Sequence, residues 1–453
     1  METLLTQSVN DAVSFLMQGE VIAVPTETVY GLAANALDPV AVGKIFQLKN
    51  RPKEDPLIVH VWSIDSLESL EIEPPLWAER LMRLFWPGPL TILLPKGPVI
   101  PDIVTAGLPR VALRAPAHPL MRELLQALPF PLAAPSANPF GFTSPTTAAH
   151  VMTYFRGRIP LILDGGPCAV GIESTIIGEE NGRFVLYRPG AIPAEALEEA
   201  LGQKLFPKSS VGAGASFSIQ TPGQYMRHYA PRKPLLYGWH RVPIESKASL
   251  IFYAATDYGE HPHIHVLSPM GDSQEAAYRL YAILHQADAE PSEYILVQRI
   301  PAQDGLGVAL HDRLRRASAR ALFTIGHSNH AWTDFLALLK RYEIEVLLDI
   351  RKQPYSKYSP HFSQAIMQKA LHEAGIIYEW QPNPKRLHLA IERLNIEHRH
   401  IALLCAEGEP HRCHRYRLSD ELTERGFVVF HIMPEGRLEL HRAPISLPLG
   451  EKA

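Results

Sequence analysis

The stretch FQLKNRPKEDPLIVHV, residues 46–61, sets Lys49, Arg51 and Lys53 around Pro52 and runs straight into an apolar, strand-like segment. The chain carries 44 Lys+Arg against 47 Asp+Glu, so this knot is a local grip for an anion and not part of a cationic coat. Groups suited to the same task recur downstream: Arg114 after RVAL, Ser136 and Asn138 in LAAPSANPFGFTSPTT, Ser174 and Thr175 in GIESTII, and Arg188 in VLYRPGA. Guanidinium forks and hydroxyl donors can hold phosphates without a glycine loop. The standard loops are absent: G-x-x-x-x-G-K-[ST] does not occur, and VGAGASF lacks the third glycine and the flanking strand of a dinucleotide fingerprint. Each residue taken singly also has a structural use. A lysine at a helix C-terminus complements the dipole, Ser144 before Pro145 is a helix N-cap, and PTETVYG reads as an edge strand.

The elements that must position these groups alternate strand-like and amphipathic runs from residue 1 to about 200, which is an α/β pattern. In NALDPVAVGKIFQLK, Asp38 is an N-cap, Pro39 takes the first helical position, and Val42, Ile45 and Phe46 keep helical spacing. Pro52 ends that helix at the basic knot, so residues 49–55 are expected to form an ordered turn before the strand PLIVHV. The candidate groups then fall at strand ends or in adjacent loops, where an open α/β sheet presents its ligand crevice.

Residues 203–235 are rich in Gly, Ser, Ala and Pro and read as a linker, yet QYMRHYAPRKP within it concentrates Tyr225, Arg227, His228, Tyr229 and Arg232. The expectation is a lid that closes over a bound ligand. Residues 236–318 read as a small α/β domain with no legible role. From 321 to 453, strand, turn, helix, strand units give a Rossmann-like α/β module. The residues before 318 are expected to work without this module, across the modest polar interface usual between domains of one chain.

Three cysteines, Cys168, Cys405 and Cys413, make no disulfide framework, and the N-terminus has neither a basic leader nor a cleavage site, which together read as a cytoplasmic protein. The longest apolar run is broken by Pro25, Thr26 and Glu27, short of the roughly 18 residues of a membrane span. Cys405 at a strand end, followed by Cys413, His414 and Arg415 at a helix start, reads either as a low-pKa thiolate or anion site or as simple core. Neither C-x-x-C nor a ligand quartet supports zinc, and His261, His263 and His265 read as one polar face of a strand.

In order along the chain, PTETVYGL, KNRPKEDPLIVH, WPGPLTILL, VALRAPAHP, APSANPFGFTSPT, DGGPCAVGIESTI, LYRPGAI and PGQYMRHYAP resemble the signature of the YrdC-like threonylcarbamoyl-adenylate synthases in their long, two-domain form, over residues 5–318. The resemblance implies a YrdC-like twisted open sheet with helices over residues 1–202, the linker or lid at 203–235, and a small second α/β domain at 236–318. It implies synthesis of threonylcarbamoyl-AMP from L-threonine, bicarbonate and ATP with release of pyrophosphate, for modification of tRNA. Lys49, Arg51, Ser136 and Asn138 would be catalytic. Thr28, His60, Arg114 and Ser174 would hold threonine; Arg51, Asp55, Ser136, Ser144, Arg188 and Tyr229 would hold ATP, with Mg²⁺ carried on the ATP phosphates and no protein metal site. Asp55 departs from the family, which often has Asn there. The implied partners are a downstream tRNA-modifying transferase complex and, weakly, tRNA itself, with no membrane. The alternative is a non-enzymatic module binding tRNA or double-stranded RNA by shape.

Residues 321–433 resemble a family of functionally uncharacterised small bacterial proteins through TIGHSN, DIRKQPYS and LLCAEGEPHRCHR. The usual Leu-Gly-Gly loop is replaced by YEWQPNPKRLHLA.

Overall fold

The helix Pro39–Lys49 shows how local chemistry fixes the basic knot. The Asp38 carboxylate accepts from the Val40 amide at 2.8 Å, Pro39 sits in the first turn, and Asn50 ends the helix in the left-handed region at φ 50. The Arg51 amide then returns to the Phe46 carbonyl at 3.0 Å. The turn that follows is ordered by its own side chain, because Arg51 donates to the carbonyls of Asp55 and Pro56.

In this computed structural model, residues 2–208, 221, 228–301, 305–356, 359–396 and 399–442 are described. The lid expected over 203–235 lies for the most part outside these residues.

Three sheets organise the described residues. The first has eleven strands, from Leu4–Thr6 to Phe206–Pro207, mixed in direction. Strand Ile58–His60 runs parallel to Arg110–Arg114, pairing His60 with Arg114 at their C-terminal ends. Leu90–Pro95 runs parallel to Thr175–Glu180, so Ser174 and Arg188, at the start of that strand and the end of its antiparallel neighbour Arg183–Arg188, come to the same edge. Apolar clusters cover both faces of the sheet, and His60, Arg114 and Arg188 at these ends line a common cleft.

The second sheet has four parallel strands between Leu235–Trp239 and Tyr294–Gln298. The period-2 alternation of its side chains sends Leu235, Ile251, Ile295 and Val297 toward the helices Ser273–Ala289 and Gly305–Ala317. Leu236, Leu250, Phe252, Tyr294 and Leu296 point the other way, into a core shared with the third sheet.

The third sheet has six strands from Ala321–Gly326 to Leu438–Leu440. Its interface with the second corrects the expected modest polar contact. Trp239 lies edge-on to Phe323 with ring centres 6.1 Å apart, Tyr294 meets Phe430 at 5.1 Å, and all four side chains are buried. Buried Glu245 accepts hydrogen bonds from Tyr342 Oη at 2.5 Å and the Leu438 amide at 3.1 Å, tying the two blocks together. No helix among the described residues is long and apolar enough to cross a membrane.

Candidate active site

Seven of the predicted site residues line one cleft of the first domain: Thr28, Arg51, His60, Arg114, Ser136, Arg188 and Tyr229. The others, Lys49, Asp55, Asn138, Ser144 and Ser174, stand behind it.

On one wall, Arg114 Nη1 donates to Thr28 Oγ1 at 3.0 Å and Nη2 pairs with Glu27 at 2.6 Å. Glu27 accepts in addition from the Ala117 amide at 3.0 Å, so the guanidinium is fixed from both sides. His60 beside it is driven down to about 3 by burial and by the Arg114 charge, and is therefore a neutral imidazole near neutrality. Its Nδ1 has no hydrogen-bond partner among the described residues.

On the opposite wall, Arg51 pairs with Asp55 at 2.8 Å, both buried. Asp55 does not line the cleft. Its carboxylate neutralises and braces Arg51, so neither Mg²⁺ nor exposed Lys53 is needed to reconcile an acid with a nearby anion. Lys49 also departs from the expected phosphate grip. It is buried, and Nζ donates to the Ser136 and Asn138 carbonyls at 2.5 Å each, holding the loop that presents Ser136. Burial and the adjacent Arg51 push the Lys49 amine well below its ordinary value. The Asn138 amide donates to the Pro139 and Phe142 carbonyls at 2.8 and 2.9 Å and closes the same loop.

Arg188 is oriented by Ser174, donating to its carbonyl and its Oγ at 3.0 Å each, while Thr91 Oγ1 stands 2.7 Å from Ser174 Oγ. Ser144 donates to Glu173 at 2.7 Å. Both serines thus position cleft residues instead of lining the cleft.

The cleft is also lined by residues not expected at the site, among them the polar Thr26, Glu173 and His228. Glu173 accepts from Tyr281 Oη at 3.0 and 2.9 Å and from Arg313 Nε at 2.7 Å, both from helices of the second domain. Gly171, at φ +84, permits this approach, since a Cβ there would stand 2.4 Å from the Ala277 carbonyl. Tyr229, itself at φ 66, carries the guanidinium groups of Arg313 and Arg316 at 4.9 and 5.1 Å from its ring centre. The second domain, whose role was illegible, therefore braces the cleft from behind, through Glu173 and Tyr229. The available signal was RLRR at 313–316: arginines ending a helix that opens on the apolar run GLGVAL.

Around the cleft the field is positive. Burial lowers His228 well below its ordinary value, and Arg316, Arg51, Lys49 and Arg188 lower it further. Such a site receives anions, with hydroxyl groups at Ser136 and Tyr229 to fix orientation.

Residues 14–190 match the family described as "Telomere recombination", residues 192–319 the family "Threonylcarbamoyl-AMP synthase, C-terminal domain", and residues 331–387 a domain of unknown function, DUF488. The threonylcarbamoyl-AMP synthase of Pyrococcus abyssi is 38% identical over 69% of this chain and 95% of its own length; that of Bacillus subtilis is 38% identical over 68% and 92%. The crystal structure of P. abyssi Sua5 complexed with L-threonine superposes with a TM-score of 0.63 at 34% identity, covering 70% of this chain and 98% of that one. Two contiguous matches spanning both walls of the cleft, and relatives covered almost end to end, place the chain in the threonylcarbamoyl-AMP synthase family.

Proposed function

We propose that the first two domains join L-threonine, bicarbonate and ATP into L-threonylcarbamoyl-AMP and pyrophosphate in this cleft. The observation that carries the reading is the meeting of Thr28, His60 and Arg114 on one wall with Arg51, Ser136 and Arg188 on the other. The threonine amine takes up bicarbonate with loss of water to give a carbamate. A carbamate oxygen then attacks the α-phosphorus, and the bond to pyrophosphate breaks. The substrate supplies its own nucleophile, so the protein's task is positioning and charge neutralisation.

Thr28, Arg114 and neutral His60 hold the threonine moiety, whereas Ser174 orients Arg188 on the phosphate side. Arg51 and Arg188 face the phosphates, Ser136 donates to them, and Tyr229 packs the nucleoside. Lys49 and Asn138 hold the Ser136 loop, and Ser144 and Asp55 act through Glu173 and Arg51. The donor set does not suit a protein-bound Mg²⁺, because Glu27, Glu173 and Asp55 are each committed to an arginine. Mg²⁺ enters on the ATP phosphates. The product passes in the cytoplasm to a transferase complex that modifies tRNA, and direct contact with tRNA is weak. An RNA-binding role without catalysis lacks the support of an open basic surface, since the arginines lining the cleft are buried.

The test is formation of an adenylate from α-labelled ATP by the full chain. The reading requires dependence on both threonine and bicarbonate, with pyrophosphate released in equal amount. ATP turnover indifferent to threonine sinks it.

A further inference from the structure

The motifs of the third block, which the synthase does not use, converge on one end of its sheet. Strand Ala321–Gly326 pairs in parallel with Ile401–Cys405, setting Gly326 beside Cys405, and Val346–Asp349 flanks the other side. Helices Trp332–Arg341 and Gln364–Glu373 pack on one face of the sheet, Pro384–Ile396 and His414–Glu424 on the other. The connections thus reverse direction between Ala321–Gly326 and Ile401–Cys405, and the crevice outside the carboxyl ends of such a pair is where open α/β sheets bind ligands. A Cβ at position 326 would stand 2.6 Å from Arg415 Nη1 and collide with the Glu407 carbonyl, so glycine is required under the loop. Arg415, fully buried, donates to the Glu407 and Gly408 carbonyls, and its Nε has no partner among the described residues.

That loop brings Cys413 back over Cys405. Their sulfurs are 2.6 Å apart, and His414 Nδ1 is 3.7 Å from each. The pair is asymmetric. Cys405 is buried at the strand end, whereas Cys413 is half-buried and caps helix His414–Glu424. The hydrogen bond from Cys405, the helix amide of Arg415 and the neighbouring His414 and Arg415 charges bring the Cys413 thiol down to about 6, while the same hydrogen bond and burial push Cys405 up. Cys405, Cys413 and His414 could also be metal ligands, but two thiolates on one zinc stand about 3.7 Å apart, given Zn–S bonds of about 2.3 Å. The observed sulfurs are closer than that and nearer to the reach of a disulfide, whose bond is about 2.05 Å.

We propose that Cys413 and Cys405 form a redox-active dithiol that reduces disulfides, with Cys413 the attacking thiolate and Cys405 the resolving thiol. Cys413 Sγ attacks one sulfur of the substrate disulfide, whose S–S bond breaks; the first leaving thiolate takes a proton from solvent. Cys405 then loses its proton to solvent and attacks Cys413 Sγ. The mixed disulfide breaks, the second thiolate leaves, and the protein holds a Cys405–Cys413 disulfide. Two electrons pass from the two thiols to the substrate, and a second thiol compound resets the pair. The substrate class is an accessible disulfide, carried on a small molecule or a protein.

Oxidised glutathione is the probe, with the full chain. The expected result is a Cys405–Cys413 crosslink in peptide maps, with two reduced glutathiones released per chain. Cys405→Ser stalls as a glutathionyl adduct on Cys413, and Cys413→Ser slows glutathione release by about tenfold or more. On the unsubstituted chain, alkylation of Cys413 by iodoacetamide inflects near pH 6; in Cys405→Ser the inflection moves up. Cys168 stays silent, being buried and pushed up to about 12. Adenylate synthesis is unchanged in both variants. An ordinary thiol titration at Cys413, an adduct shared equally between the two cysteines, or zinc retained stoichiometrically by the reduced chain and blocking alkylation overturns the proposal.

Discussion

Arg313, on a helix of the second domain, donates from Nε to the buried carboxylate of Glu173 in the first domain's loop, 2.7 Å away. The same guanidinium reaches the Pro189 carbonyl at 2.9 Å, beside Arg188. Removing one member of a buried pair leaves the other charge uncompensated, a loss of about 3–5 kcal/mol. Arg313→Met should therefore unfold at markedly lower temperature and lose most pyrophosphate release, although Arg313 does not line the cleft. Adding Glu173→Gln should recover part of the stability, and a double-mutant cycle by thermal unfolding measures the coupling. Strict additivity of the two substitutions would remove Glu173–Arg313 as the link between the domains.

A second pair separates fold from chemistry. The position of Arg51 in a loop suggests from sequence that it can be replaced without structural cost, but its contact with buried Asp55 reverses that expectation. Arg51→Ala should lower stability by about 3 kcal/mol as well as stopping turnover. Arg51→Ala combined with Asp55→Asn should restore the unfolding temperature and leave pyrophosphate release absent. Recovery of activity together with stability would show that Arg51 only braces the loop.

Acid should open the first two domains. His150 and His285 stack with ring centres 4.0 Å apart across that boundary, and burial brings them down to about 3 and about 4. The unfolded chain takes up both protons from about pH 6.5 downward while the native state refuses them. Stability is thus full above pH 6.5 and falls below it, by about 1.4 kcal/mol per pH unit for each histidine until its folded value is reached. Unfolding temperatures at pH 7.5 and 5 should differ less in His285→Gln than in the unsubstituted chain. Equal differences would place the acid sensitivity elsewhere.

Much of this was legible from local signals. Asp38, Pro39 and Asn50 bracket the helix before the knot, and His60, Arg114 and Arg188 end strands where an α/β sheet presents ligand groups. What stayed hidden was long-range pairing. Nothing near Lys49 in sequence says that its amine will be spent on the Ser136 and Asn138 carbonyls, nor that Glu173 will be met by Tyr281 and Arg313 from more than a hundred residues away. The eight-residue separation of Cys405 and Cys413 hid their contact for the same reason, since only the return of the loop to the sheet end brings the sulfurs together.

The shared core between the second and third sheets bears on whether the synthase can stand alone. No described residue of 321–442 lines the cleft, so among the described residues the chemistry does not call on the third block. Yet cutting after Ser318 would bare Trp239, Leu250, Phe252 and Tyr294 together, all buried, and would strand the Glu245 carboxylate without Tyr342 and Leu438. A contiguous apolar patch of that kind drives association, and a buried acid that loses its donors destabilises what remains. The chain truncated after Ser318 should bind a hydrophobic dye, unfold at lower temperature than the same domains in the full chain, and self-associate in sedimentation. Whatever fraction stays soluble should release pyrophosphate within a few-fold of the full-length rate per folded molecule. A monodisperse, dye-silent truncation with unchanged stability would mean that the aromatic face tolerates water and that the third sheet adds nothing to the fold of the second. Soluble, folded but inactive protein would instead make the third block part of the synthase.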